Sequence, residues 1–387
     1  MIKLLHVIVG LDTGGAEMML FKLLSHLNRD LFAPKVISLR DVNGPVAGLI
    51  SKLDISLMAL GMKRSVPDPT KLVKLARIFH REKPDLVQTW MYHSDLMGGM
   101  AAKFNQKIPV IWGIRHSNLT PESSKRMTYY TAKMCAALSG WLPEKIVCNS
   151  QVSKNIHGAL GYNAEKMIVI PNGFDLTAFR PDLGARNSVR REFNIPEDAF
   201  IIGCVGRFHP EKDHHSFFQA AALLNQQYKK DVYYLLCGNG ITWENQQLAQ
   251  WIEEANVRSR TFLLGRRDDI NRITASMDIA TSSSAGESFS NVIGEAMACE
   301  VPCVVTNVGD SSVIVGDTGM VVPPEKPGEM AKAWAKMIDM HTEERAQLGT
   351  AARERIMEHY NLPGIVHRFE DLYKDILHIN PEAKQIS

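Results

Sequence analysis

Residues 179–207 read FRPDLGARNSVRREFNIPEDAFIIGCVGR, and the change of character at Ala199 decides the fold. Before it, charge, proline and turn formers crowd together, which places a linker around residues 176–199. From Phe200 to Arg207 the chain becomes an apolar run closing on glycine, the pattern of a buried strand that feeds a turn. A strand that restarts after a linker marks the start of a second domain. The length agrees, since 387 residues exceed the roughly 250–300 at which one hydrophobic core stops growing.

The same alternation runs outward from this point in both directions. Downstream the pattern predicts a helix over 215–224, a strand over 232–238, a helix over 243–255 and a strand over 261–265. A strand over 279–281, a helix over 292–298, a strand over 302–306 and two or three further helices complete that half. Upstream, strands over 3–9, 35–39, 86–89 and 109–113 alternate with helices over 16–27 and 70–81. Alternation of this kind builds parallel sheets with helices on both faces. The expectation is an α/β protein of two Rossmann-like, doubly wound domains. They span residues 1–185 and 186–362, with a C-terminal helix over 363–387 packing back toward the first. Open sheets of this type bind ligands at the carboxyl ends of their strands.

Composition is that of an ordinary globular protein, 45% apolar and 22% charged. Six cysteines, mostly in apolar runs and without C-x-x-C spacing, indicate neither a zinc site nor a disulfide framework and suit a reducing cytosol. The opening MIKLLHVIVGLDTGG reads as a buried first strand rather than a signal peptide. No apolar run reaches the length of a spanning helix, so any membrane contact is expected to be peripheral. Charge is uneven: residues 1–175 hold 22 Lys and Arg against 13 Asp and Glu, and residues 176–387 hold 22 against 29. That asymmetry fits either an anionic partner for the first half or two unrelated solvated surfaces.

The unusual residues fall in the loops after the strands. Gly14 and Gly15, between the first strand and its helix, form either a tight turn or a phosphate cradle at a helix N-terminus. Their spacing is not that of a nicotinamide fingerprint. Arg207 and Lys212, in GRFHPEK, put two cations beside a strand end, where they can clamp a diphosphate or stand as solvated turn residues. In Ser284–Ala298, SAGESFSNVIGEAMA, Glu287 and Glu295 bracket a Ser/Gly-rich loop and the start of an apolar helix. Carboxylates there can accept hydrogen bonds from sugar or ribose hydroxyls, while the helix start can meet a phosphate. An N-terminal glutamate favoured by the helix dipole would explain Glu287 but not Glu295.

Together the GGAE loop, the GR…K turn, the Pro171-Asn172-Gly173 segment and the paired glutamates resemble glycosyltransferase family 4, retaining enzymes of GT-B architecture. Their order along nearly the whole chain carries the resemblance. It implies two domains facing a central cleft and a nucleotide-sugar donor. Arg207 and Lys212 would hold the donor diphosphate, Glu287 the sugar and Glu295 the ribose. The backbone of Phe289, Ser290 and Asn291 would meet the phosphates, Gly14 and Gly15 would approach from the first domain, and Gly265 and Arg266 would lie where the base is read. His116, in WGIRHSN, matches a histidine near the reacting centre, and His93 in TWMYHSD is either structural or a second polar contact. One departure is Glu300, where the family often has glycine, and it bears on local turn geometry. No Asp-x-Asp occurs, so no metal and no cofactor are expected and cations take over charge neutralisation.

The segment 123–141, SSKRMTYYTAKMCAALSGW, combines Lys125, Arg126 and Lys133 with Tyr129, Tyr130 and Trp141. It reads either as a helix at an anionic bilayer surface or as a core-packing helix with a charged outer face. The stretch VVTNVGDSSVIVGDTGMVVPP resembles bacterial enzymes that build O-antigen or capsule repeat units on undecaprenyl diphosphate. The expected reaction is transfer of a hexosyl or N-acetylhexosaminyl group from a UDP-sugar, foremost UDP-N-acetylgalactosamine, to a polyprenyl-diphosphate-linked saccharide. The expected place is the cytoplasm, on the cytoplasmic face of the inner membrane, with no nucleic-acid partner. Rival readings are a UDP-sugar epimerase of the same architecture, an inert sugar-nucleotide-binding protein and, weakest, a nicotinamide dehydrogenase.

Overall fold

A computed structural model describes residues 1–63, 68–105, 108–117, 119, 126–227 and 232–379. The chain forms two compact units, one of Met1–Gly173 with the C-terminal stretch from Leu362, the other of Phe174–Asn361. In the first, the strands are β1 (Ile2–Ile8), β2 (Phe32–Ser38), β3 (Ser56–Ala59), β4 (Leu86–Trp90), β5 (Val110–Ile114), β6 (Lys145–Cys148) and β7 (Met167–Val169). They pair in parallel in the order β3-β2-β1-β4-β5-β6-β7. The second unit carries β8 (Phe200–Val205), β9 (Val232–Cys237), β10 (Thr261–Leu263), β11 (Ile279–Ser282), β12 (Cys303–Thr306) and β13 (Gly319–Val322). Its order is β10-β9-β8-β11-β12-β13, again parallel throughout.

Both orders reverse direction once, between β1 and β4 in the first unit and between β8 and β11 in the second. At such a reversal the crossover helices leave toward opposite faces, opening a crevice at the carboxyl ends of the two middle strands. In the first unit, helices Gly15–His26 and Leu362–Ile376 cover one face, with Phe369 and Tyr373 buried and Tyr373 edge-on to Phe32 at 5.6 Å. In the second, Phe217 packs edge to face on both Tyr234 and Trp334, and the Trp334 indole donates to Thr281 Oγ1 at 2.9 Å. That bond satisfies a polar atom that burial would otherwise leave costly.

Three expectations are corrected. The units divide after Gly173, not at 185, because Phe174 is fully buried in the second core. Its ring stacks on Phe289 at 6.0 Å and presses on Gly294, where a Cβ would come within 2.0 Å of it. The stretch read as linker also holds a helix, Leu183–Glu192, whose N-terminus is capped by Asp182 accepting from the Ala185 N–H at 2.9 Å. Its charge misled the reading because the charges are used internally: Asp278 takes hydrogen bonds from Arg186 at 2.5 Å and from buried Arg190 at 2.9 Å. Beyond Thr306, β13 and four helices stand where two or three helices were expected.

Candidate functional site

The loops that leave β8 and β11 flank the reversal of the second sheet and are tied together by main chain. Ala285 N–H donates to the Glu211 carbonyl at 2.8 Å, and Ser283 Oγ donates to the Lys212 carbonyl at 2.8 Å. Across this junction Lys212 Nζ pairs with Glu287 Oε1, which also accepts from Ser284 Oγ at 2.9 Å. Side-chain exposures of 23% for Lys212 and 12% for Glu287 make this a largely shielded ion pair rather than a surface one. The loop carrying Glu287 is held from below by Thr306 Oγ1, which donates to the Ser284 carbonyl at 2.6 Å. From the side, Gly309 packs on the Glu287 carbonyl, where a Cβ would sit 2.3 Å away, and its φ of +54 lies in the left-handed region that glycine adopts freely.

Around this pair stand the other residues picked out in the second half. Arg207 is exposed at the end of β8 and, among the described residues, takes no ion-pair partner. Gly265 and exposed Arg266 follow β10 at the same edge of the same sheet. Phe289 is buried between Phe174 and Tyr360, so its ring belongs to the core. Ser290 is the N-cap of helix Asn291–Ala298, and its buried Oγ has no hydrogen-bond partner among the described residues. The amides of the first helical turn point out of the helix and give this end partial positive charge. Glu295 is half-buried one turn further along. The arrangement offers two cations, a helix N-terminus and two carboxylates at the carboxyl edge of one sheet, suited to a ligand that joins phosphates to hydroxyls. Glu300 sits at φ +60, so the departure from glycine falls on a strained turn at the opposite, amino-terminal edge of β12.

In the first unit Gly14 and Gly15 lead from β1 into helix Gly15–His26. The Glu17 carboxylate folds back against Gly14, where a Cβ would lie 2.3 Å from Glu17 Oε2, and burial raises its pKa. His93 lies at the start of helix Tyr92–Lys103, after β4, and burial lowers its pKa toward the neutral imidazole. The turn into that helix is strained: Met91 has φ +74 and donates its N–H to the Gly113 carbonyl at 2.8 Å. His116 is half-buried after β5, beside Arg115, whose guanidinium stacks over Trp90 at 4.8 Å and donates to Asn172 Oδ1 at 2.8 Å. Thus Gly14, Gly15, His93 and His116 all lie at the carboxyl edge of the first sheet.

Sequence reasoning gave no role to Ser283, Ser284 and Thr306, which hold the Glu287 loop, although the serine run at 282–284 that leads into the motif was a usable signal. It also left open the character of helix Arg126–Leu138. That helix buries Thr131, Ala132, Cys135 and Ala136 and turns Met127, Tyr130 and Met134 outward, so its outer face is apolar as well as basic. Residues 123–125 of that segment lie outside the described residues. Among the described residues no group of three His, Cys, Asp or Glu is placed to hold a metal ion, and no helix is long and apolar enough to cross a membrane.

Comparison with solved structures places this architecture among the GT-B glycosyltransferases. The crystal structure of Anabaena Alr3699/HepE in complex with UDP superposes with a TM-score of 0.85, at 23% identity over 97% of this chain and 100% of that one. Residues 13–178 match the family model for Glycosyltransferase Family 4, and residues 199–340 match that for Glycosyl transferases group 1. The chain belongs to the glycosyltransferases of the family 4 type. Among relatives, the UDP-Gal:alpha-D-GlcNAc-diphosphoundecaprenol alpha-1,3-galactosyltransferase of Escherichia coli is 23% identical over 81% of this chain and 81% of its own length. The capsular polysaccharide biosynthesis glycosyltransferase CapM of Staphylococcus aureus is 26% identical over 82% of this chain and 84% of its own.

Proposed function

We propose that the protein is a retaining, metal-independent transferase. It moves a hexosyl or N-acetylhexosaminyl group from a UDP-sugar, foremost UDP-N-acetylgalactosamine, to a polyprenyl-diphosphate-linked saccharide during assembly of a surface polysaccharide. The observation that carries this reading is the shielded Lys212–Glu287 pair at the β8/β11 reversal, with exposed Arg207, which among the described residues takes no ion pair, at the end of β8. The bond between the anomeric carbon and the β-phosphate oxygen breaks, and its electron pair leaves with UDP. Arg207 and Lys212 neutralise that charge, which is the role a metal would otherwise take. The acceptor oxygen bonds to the same face of the sugar, and its proton passes to the departing phosphate. Glu287 holds Lys212 in place and accepts from donor-sugar hydroxyls, Glu295 accepts from the ribose, and His116 orients the acceptor hydroxyl.

A lipid-linked acceptor draws support from the first unit. Tyr130 and Trp141 are 63% and 59% exposed, Met127, Met134 and Phe104 are exposed with them, and Lys103 lies over the Trp141 ring at 5.7 Å. Apolar and aromatic side chains interleaved with cations suit an anionic bilayer surface at the cytoplasmic face of the membrane. The test is UDP release across a panel of UDP-sugars, with and without a synthetic polyprenyl-diphosphate-linked GlcNAc or GalNAc, in buffer containing EDTA. Acceptor-dependent release with one donor and an axial-to-axial product by NMR is the expected result. Binding without release, release that EDTA abolishes, or an isomerised free donor overturns it.

A further inference from the structure

We infer that Ser153, His157 and Tyr92 form a buried hydrogen-bonded chain that positions His116 for the transfer step. The inference rests on the reading of His116 given above and extends it to residues that touch no ligand themselves.

All three side chains are fully buried in the first unit. Ser153 Oγ donates to the His116 carbonyl at 3.0 Å, fixing the main chain of the loop that leaves β5. Ser153 lies in helix Gln151–Ala159, whose N-terminus is capped by Ser150 Oγ accepting from the Ser153 N–H at 3.0 Å. One turn on, His157 Nδ1 lies 2.8 Å from the Ser153 carbonyl. A carbonyl can only accept, so Nδ1 carries the proton, and Nε2 of the neutral ring must accept. Its donor is Tyr92 O–H at 2.8 Å, with the two rings stacked at 5.7 Å. Burial favours the neutral imidazole that this arrangement requires. Tyr92 directly precedes His93 and follows the strained Met91.

The chain of bonds therefore joins the start of the helix after β4 to the loop after β5 through a single histidine with a defined tautomer. A histidine stands at the carboxyl edge of the sheet on each side, His93 in the first turn of the helix after β4 and His116 in the loop after β5. Every atom in the chain has a partner, so the loops are locked in one register. Placement of a reacting group to within a fraction of an ångström is what such a lock supplies.

The experiment removes one hydroxyl at a time, with Ser153→Ala and Tyr92→Phe, and reads kcat, donor KM and UDP affinity in the full-length protein. Expected is a loss of about tenfold in kcat with donor KM and UDP affinity unchanged, the order of effect of one misplaced hydrogen bond. Ser153→Thr, which keeps the hydroxyl, restores the rate. The combined variant Ser153→Ala with His116→Ala is no slower than His116→Ala alone. Wild-type kcat in both hydroxyl variants while His116→Ala is slow overturns the positioning chain and leaves the role of His116 standing. A wild-type rate in His116→Ala overturns the reading of His116 itself. Multiplicative losses in the combined variant also overturn the inference, because Ser153 would then act by another route.

Discussion

Replacing Lys212 by alanine removes more than one cation from a surface. Lys212 and Glu287 are mostly screened from water, so their pairing lies above the 0–1 kcal/mol of exposed ion pairs and near the 1.5–3 kcal/mol of a charge-assisted hydrogen bond. Without the lysine, Glu287 keeps its hydrogen bond from Ser284 but loses its counter-cation, and its negative charge then opposes a diphosphate bound beside it. Two penalties then combine: the lost phosphate contact and the new repulsion. UDP affinity in Lys212→Ala is expected to fall about a hundredfold, or ~2.7 kcal/mol. Adding Glu287→Gln removes the repulsion, and the double variant is expected to bind UDP about tenfold more tightly than Lys212→Ala alone. Titration calorimetry with UDP on the wild type, both single variants and the double completes the cycle. UDP binding by Lys212→Ala at wild-type strength, or losses that simply add across the cycle, would refute the reasoning.

Three further outcomes follow from particular contacts. Gly294→Ala should destabilise the second unit by about 1–3 kcal/mol, since a Cβ there meets the Phe174 ring at 2.0 Å; a thermal midpoint equal to wild type would contradict the packing. Glu300→Gly should stabilise by about 1 kcal/mol by relieving a left-handed backbone at φ +60, read as a shift of the urea midpoint at constant slope. Asp95 is fully buried, takes hydrogen bonds on Oδ1 from Thr89 at 2.5 Å and Gly113 at 3.3 Å, leaves Oδ2 without a partner among the described residues, and is pushed up by burial to about 7. The folded state therefore holds a proton that the unfolded chain releases above the ordinary carboxylate range, so this contribution is present near pH 4 and is lost as pH rises toward 7. Asp95→Asn should gain stability relative to wild type across that interval, by up to about 4 kcal/mol at pH 7, and a difference that does not change with pH would reject the assignment.

How much of this was legible beforehand follows from the range of the interactions concerned. The two-domain α/β plan was readable because a buried parallel strand is an apolar run and a covering helix has a 3.6-residue period, both local signals. Phe200–Val205 and Ile2–Ile8 announce themselves in that way. The edge strands β3, β7 and β13 did not, since each is short and only partly buried and so lacks a continuous apolar run, and β6 was missed as well, although the equally short β10, β11 and β12 were read. Likewise the carboxyl-edge placement of Arg207, Lys212, Glu287 and His116 followed from each residue's position just past a strand.

What the chain could not disclose alone was which loops meet. That Lys212 pairs with Glu287 depends on β8 lying beside β11, a neighbour relation made by strand order across 75 residues of sequence. The unit boundary at Gly173 depends on Phe174 finding Gly294 and Phe289, and the chain from Tyr92 through His157 to Ser153 depends on two loops and a helix converging in one core. Local periodicity determines which elements form, because it is set by neighbours along the chain. Packing of those elements against partners distant in sequence decides which side chains share a site, and only the tertiary structure contains that information.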